Sequence, residues 1–134
     1  MSNQTSAGVM AGKRGLVMGV ANERSIAWGI AAKLAEQGAD LAFTFQGEAL
    51  QKRVVPLADS VGSNLVLPCD VTDEASVDAV FDRLKSEWGE LDFVLHAIAY
   101  SDKEELKGGY VDTSRDNFQR TMDISVYSFT EITR

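Results

Sequence analysis

The stretch "GVANERSIAWGIA", Gly19 to Ala31, decides how the rest of the chain is read. It follows a short apolar run, Leu16-Val17-Met18, and leads into residues with a helical apolar spacing. In open α/β sheets a strand, a turn and a helix in that succession make a phosphate site, because the free N–H groups of the helix start face the turn. A dinucleotide fingerprint would read G-x-G-x-x-G there. Here only Gly19 and Gly29 are present, with Ser25-Ile26 between them. Gly19 suits a sharp turn with close backbone approach, Ser25 suits either a helix cap or a bond to a phosphate oxygen, and Gly29 suits close packing of helix on strand. An ordinary capped helix after a tight turn accounts for the same residues equally well.

Outward from this stretch the chain alternates. Strands are expected at Gly15–Met18, Leu41–Phe45, Asn64–Leu67 and Phe93–Ala97. Between them lie helices at Ser25–Gln37 (Ile26, Ile30 and Leu34 on one face, Gly38 as stop) and at Glu48–Val61, which Pro56 should kink or split. A third helix from Thr72 to Trp88 carries the stripe Val77, Val80, Phe81, Leu84, Trp88, has Asp73 and Glu74 in its first turn, and stops at Gly89. After a polar loop to about Thr113, Ser114–Thr133 reads as a last helix with Phe118, Met122, Ser125, Phe129 and Ile132 along one side. Short apolar strands alternating with helices imply the α/β class: a doubly wound, Rossmann-type parallel sheet with helices on both faces. In the strand order 3-2-1-4-5-6 these four are the first half plus one, so the sheet reads as truncated after about four strands, with Phe93–Ala97 a bare apolar edge prone to aggregation. Residues 1–12 read as a flexible leader and 13–134 as the N-terminal part of one dinucleotide-binding domain.

Charge narrows the partners. The formal net charge of −7 disfavours nucleic acid and anionic membrane, and a small metabolite fits better. Asn3-Gln4-Thr5 matches a glycosylation sequon, which has no meaning without export. Cys69 is the one cysteine, so no internal disulfide forms, as a reducing cytoplasm leads one to expect; no signal peptide or membrane span is legible. With one His and one Cys there is no credible zinc site, and no metal is expected.

In such a sheet the ligand lies beyond the strands' carboxyl ends, so the informative residues directly follow each apolar run. After the second strand, "FTFQ" places neutral Gln46 where an acid would bond ribose hydroxyls and reject a 2′-phosphate. After the third, "CDV" offers Asp70 as an acceptor for the adenine amino group and Val71 as cover for the ring, although an Asp capping the next helix fits too. After the fourth, "HAIAY" supplies small Ala97, Ile98 and Ala99, against which a flat ring can lie. His96, on an apolar strand, reads as a packed, hydrogen-bonded core residue.

Taken in order, "GVANERSIAWGIA", "FTFQ", "CDV" and "HAIAY", with "YVDTSRDNF" and "DISVYSF", resemble the NADH-dependent enoyl-acyl-carrier-protein reductases, divergent short-chain dehydrogenases/reductases of bacterial fatty-acid synthesis. The resemblance runs from about Gly12 to Arg134. In that family the phosphate turn is lengthened, keeping a first Gly and then Ser-Ile at the helix start. The resemblance implies that Gly19, Ser25 and Ile26 hold the pyrophosphate region, with Gln46 by the adenosine ribose, Asp70 and Val71 by adenine, and Ile98 by the nicotinamide. Ser101 falls at a substrate-contacting backbone position, and Tyr100 lines the pocket. Ala99 stands where many relatives carry Gly and narrows the backbone approach slightly.

The activity implied is hydride transfer from C4 of NADH to C3 of a trans-2-enoyl thioester on acyl carrier protein, then protonation at C2. The family's catalytic Tyr-x6-Lys pair is expected beyond Arg134, so these residues alone are expected to be inactive. Tyr100 and Lys107 share that spacing but fall in the loop after the fourth strand and are not read as the pair. Lys103 and Lys107 are offset by Asp102, Glu104 and Glu105, so no basic docking surface is legible in that loop. A homotetramer is implied by the resemblance alone. Rival readings are another short-chain dehydrogenase/reductase, such as a 3-oxoacyl reductase, and a non-catalytic nucleotide-binding module.

Overall fold

The computed structural model describes residues 8–134. Its elements in chain order are β1 (Arg14–Met18), α1 (Ile26–Glu36), β2 (Asp40–Phe45), α2 (Glu48–Ser60), β3 (Val66–Pro68), α3 (Glu74–Trp88) and β4 (Phe93–His96). Two short 3-10 turns, Lys103–Leu106 and Tyr110–Asp112, lead to α4 (Arg115–Met122), a π turn (Asp123–Tyr127) and α5 (Ser128–Thr133). All four strands are parallel, in the order β3-β2-β1-β4. The chain thus winds from β1 outward through β2 to β3, then returns to the other side of β1 to lay down β4.

Strand alternation sorts the core into two layers. Val17, Leu41, Phe43 and Phe45 face the layer that holds Ala27 and Ala31 of α1 and Val54 and Ala58 of α2. Leu16, Met18 and Ala42 face the other, with Val77, Val80 and Leu84 of α3 and Ile132 of α5. Helices therefore cover both faces of the described sheet, and burying a side chain as large as Phe43 contributes about 1.5–3 kcal/mol. Arg14 joins the layers, since its Nη1 donates at 2.6 Å to the Trp88 carbonyl left open at the end of α3.

Several elements depart from expectation. Residues 8–12, read as flexible leader, form turns tied to α1: Met10 N–H donates to the Gln37 carbonyl at 3.0 Å. The sequon at Asn3 lies outside the described residues. On α1 the buried stripe is Ala27 and Ala31, whereas Ile26 is 81% exposed and Ile30 exposed as well. The large side chains of β2 fill the space under this helix, so its small face docks; Trp28 reaches the Phe43 ring at 6.1 Å. Gly29 does not mediate close packing, because open space surrounds it.

Pro56 does not split α2, which runs unbroken through it. The proline and Lys52 are both exposed, so water can serve the carbonyl that loses its partner. Strand β3 starts later than expected and includes Pro68. Its bonds to β2 run through Leu65 and Cys69, so the ring nitrogen of Pro68 points off the sheet edge, where a missing donor costs nothing. The last helix is interrupted by the π turn, whose extra residue shifts the face. Asn117, Ser128 and Ile132 turn inward while Phe118, Met122 and Phe129 stay exposed.

The α1 correction is directly testable. Ala31→Leu should overpack the helix–sheet seam and cost about 1–3 kcal/mol. Ile26→Ala, at an exposed position, should stay within about 0.5 kcal/mol of the parent, both read from urea unfolding midpoints. Equal losses at the two positions would put the buried face elsewhere.

Candidate functional site

Beyond the carboxyl ends of the strands, where β1 and β4 part, lies a cleft of about 520 Å³. It gathers Gly19, Gln46, Asp70, Val71, Ile98 and Tyr100 from the ends of all four strands. Ser25 and Ile26 do not line it. Ser101 lines a neighbouring cavity of about 460 Å³ between the loop after β4 and α4.

Gly19 is where the chain leaving β1 passes closest to the end of β4. Its φ is +107°, a region that L side chains rarely adopt, and an added Cβ would collide with the Ala97 carbonyl. The long turn after it closes on Ser25, whose Oγ accepts the N–H of Ala21 (2.9 Å) and of Asn22 (3.1 Å). Asn22 Oδ1 in turn accepts the Arg24 N–H at 2.8 Å. Ser25 is therefore the N-cap by position only, and no side chain caps α1. The first N–H groups of α1 are left with the partial positive charge of a helix start, a donor set suited to an anion. The glycines missing from the sequence pattern are replaced by a hydroxyl that draws the turn together.

On the β3 side, Asp70 Oδ1 accepts from both the backbone N–H (2.9 Å) and the hydroxyl (2.7 Å) of Thr72. These bonds, the hydroxyl's first, hold its carboxyl below the usual carboxylate range. The cap of α3 is Asp73, whose side chain accepts from Ala75 N–H, so Asp70 is not the capping residue. Next to it Cys69 is buried, and burial pushes its thiol up to about 11, which leaves a neutral, unreactive sulfur in the cleft wall.

On the β4 side, His96 Nε2 lies 2.8 Å from Ser128 Oγ, and that hydroxyl donates to the Ile124 carbonyl at 2.6 Å. Ser128 has spent its proton on Ile124, so it accepts from His96 Nε2–H. The imidazole also meets the Phe129 ring edge-on, and burial lowers its pKa. This is the packed histidine expected. Tyr100 and Lys107 do not act together: Lys107 Nζ pairs with Glu104 at 2.9 Å, while the Tyr100 ring lies under Arg120. The Ser101 hydroxyl accepts from Asn117 Nδ2 and Thr121 Oγ1, both at 3.2 Å.

The cleft also holds residues that sequence reasoning missed, among them Thr44, Leu50, Thr72, Arg120, Asp123 and Ile124. The D-x-T spacing of Asp70 and Thr72 was a readable signal of a local side-chain turn. Asp123 and Ile124 reach the cleft from the π turn, which no apolar period announces. Among the described residues no group of three or more His, Cys, Asp or Glu converges as a metal site, and no helix is long and apolar enough to cross a membrane.

A four-stranded parallel sheet, helices on both faces and a cleft at the strand switch point define the class: a doubly wound, Rossmann-like α/β domain. The model of the enoyl-(acyl carrier protein) reductase family matches residues 19–134, and the chain belongs to that family. It is 68% identical over 127 residues to the enoyl-acyl-carrier-protein reductase (NADH) 2 of Rhizobium meliloti strain 1021, covering 95% of this chain and 47% of that protein. Among solved structures it superposes on FabI of Candidatus Liberibacter asiaticus with a TM-score of 0.93 at 57% identity, covering 95% of this chain and 49% of that one. The enoyl-(acyl-carrier-protein) reductase of Anaplasma phagocytophilum, solved in complex with NAD, follows at a TM-score of 0.91 and 56% identity, covering 95% and 48%. The chain thus spans about half the length of the relatives it matches.

The half-buried histidine predicts a pH effect. Its folded pKa lies below the ordinary histidine value of about 6.5, so the unfolded chain binds the proton more readily. Stability associated with His96 should be complete above that value and fall as pH drops below it. His96→Gln keeps an N–H for Ser128, and the difference in melting temperature between parent and variant should narrow from neutral pH to about pH 5. A difference that does not change with pH would contradict the burial.

Proposed function

We propose that the cleft binds NADH and that the protein, at its natural length, reduces the trans-2 double bond of enoyl thioesters held on acyl carrier protein. The observation that carries this reading is the crossing of Gly19 against Ala97. It sets the turn that leads to the uncapped N–H groups of α1, and a Cβ there would strike the Ala97 carbonyl and displace that turn. Those N–H groups would receive the pyrophosphate, with Gly19, Ser25 and Ile26 shaping the turn. Gln46 would bond the adenosine ribose and Asp70 would accept from the adenine amino group. Thr72 keeps Asp70 ionised and oriented for that bond. Val71 would cover the adenine ring, and Ile98 would pack beside the nicotinamide.

When bound, the cofactor supplies the hydride. The chain's own contribution is to orient it on apolar backbone and to keep water from the face that Ile98 and Ala99 cover. Tyr100 and Ser101, at the end of the β4 segment, are assigned to the substrate side. Exposed Phe118, Met122 and Phe129 supply apolar surface for assembly, consistent with a homotetramer. Cytoplasmic residence fits the single, neutral cysteine. Residues 13–134 are assigned to one dinucleotide-binding domain.

The test has two readouts. NADH should bind the parent protein, followed by tryptophan-to-nicotinamide fluorescence, and Gly19→Ala should weaken binding at least about tenfold, because the clash with Ala97 and the strained φ displace the turn before α1. NADH should then be consumed stoichiometrically with a trans-2-enoyl thioester and not with a saturated one. A parent protein that binds no NADH would end this reading.

A further inference from the structure

Arg120 is the only cationic side chain lining the cleft among the described residues, and Asp70 and Asp123 line it too. Ion pairs among the described residues engage Lys13, Lys33, Arg83 and Lys107, leaving Arg120 outside them. Its guanidinium carbon instead sits 4.9 Å from the centroid of the Tyr100 ring. The Tyr100 backbone is held by a single hydroxyl: Ser125 Oγ accepts the Tyr100 N–H at 3.0 Å and donates to the Tyr100 carbonyl at 3.2 Å. The clamp comes from the π turn, so it links the helix that carries Arg120 to the residue beneath it.

A guanidinium placed over an aromatic ring is attracted to the ring without using its N–H donors, which stay free for another partner. A tetrahedral oxyanion suits such donors, which can reach it as two parallel N–H bonds. The position also decides which part of a ligand is reached. Tyr100 follows β4, so Arg120 stands at the β4 end of the cleft, across the sheet from Gln46 at the end of β2. Carboxylates at two points of the same cleft would repel an anionic ligand unless a cation met it.

We infer that Arg120, placed over the ring of a Tyr100 whose backbone Ser125 holds, is a phosphate-binding residue of this cleft. The inference rests on the proposed reading and deepens it, because that reading brings two phosphate sources to the cleft. One is the dinucleotide itself, and the other is the phosphorylated pantetheine arm through which a carrier protein presents a thioester. The β4 end favours the second.

The deciding experiment compares the parent protein with Arg120→Gln on two trans-but-2-enoyl thioesters that differ by one phosphate, those of 4′-phosphopantetheine and of pantetheine. In Arg120→Gln the ratio of kcat/KM for the phosphorylated over the unphosphorylated substrate should fall about three- to tenfold, an exposed charge-assisted pair being worth no more than that. Arg120→Lys should recover part of the ratio, since it restores the charge without the fork. The dissociation constant for NADH is measured beside it. A loss confined to NADH affinity, with the substrate ratio unchanged, would assign the phosphate to the dinucleotide. No change in either quantity would overturn the inference. Should the protein at its natural length reduce neither thioester, the enoyl-reductase reading fails, and NADH affinity alone decides whether Arg120 binds phosphate.

Discussion

The structure turns on the contact between the backbone of Gly19 and the carbonyl of Ala97. β1 and β4 are hydrogen-bonded neighbours as far as Met18 and His96, and the Ala97 N–H still donates to the Met18 carbonyl at 2.9 Å. One residue later the chains must separate, β1 toward α1 and β4 toward the loop that carries Tyr100. Only a residue without a side chain, at a positive φ, makes that departure so close to the neighbouring strand. The cleft is the space the separation opens. Its depth, its bare backbone floor and the direction from which α1 arrives all follow from this crossing.

A second constraint acts from the far wall. The last helical stretch reaches β4 through the π turn Asp123–Tyr127, which carries both Ile124 and Ser125. The π turn widens the helix at that point. Ile124 packs toward Ile98 and the α3 layer, while Ser125 bonds the Tyr100 backbone. His96 and Ser128 fasten the other side of the same turn, with Ser128 returning its proton to the Ile124 carbonyl. These ties bind β4 and its extension to the irregular turn, so the wall keeps its shape although most of its side chains are partly exposed.

What could be read from the sequence was whatever a local signal encodes. Gln46, Asp70, Val71 and Ile98 each follow an apolar run directly, so finding the strand ends found these residues, and the structure brings them together in one cleft. The buried face of α1 was not legible, because Ile26-Ile30-Leu34 and Ala27-Ala31-Ala35 are both apolar stripes of helical period. The choice between them lies with Phe43 and Phe45, which belong to another strand and leave room for alanines only. Ser25 was ambiguous for a different reason. A hydroxyl at a helix start can bond forward to its helix or backward to its turn, and the turn's length alone selects the backward direction. The π turn had no signature, because an inserted residue shows itself only against the neighbours it re-registers.

The acidic balance of the chain and an anionic ligand are reconciled by distance. A net charge of −7 is spread over the surface, and at physiological ionic strength each charge is largely screened beyond about 8 Å. Inside the cleft the ligand responds instead to the nearest groups, among them backbone N–H donors at the start of α1, which carry no formal charge and do not enter the sum. The count of ionisable residues therefore bears on long-range partners such as nucleic acid, whose charge is felt over many residues at once. It says little about a dinucleotide held on oriented amides. Asp70 illustrates the same point from the other sign. Its carboxylate is fixed by Thr72 and is suited to accept a hydrogen bond from a neutral amino group, so a negative side chain in this cleft need not oppose a ligand that carries both charges and neutral donors.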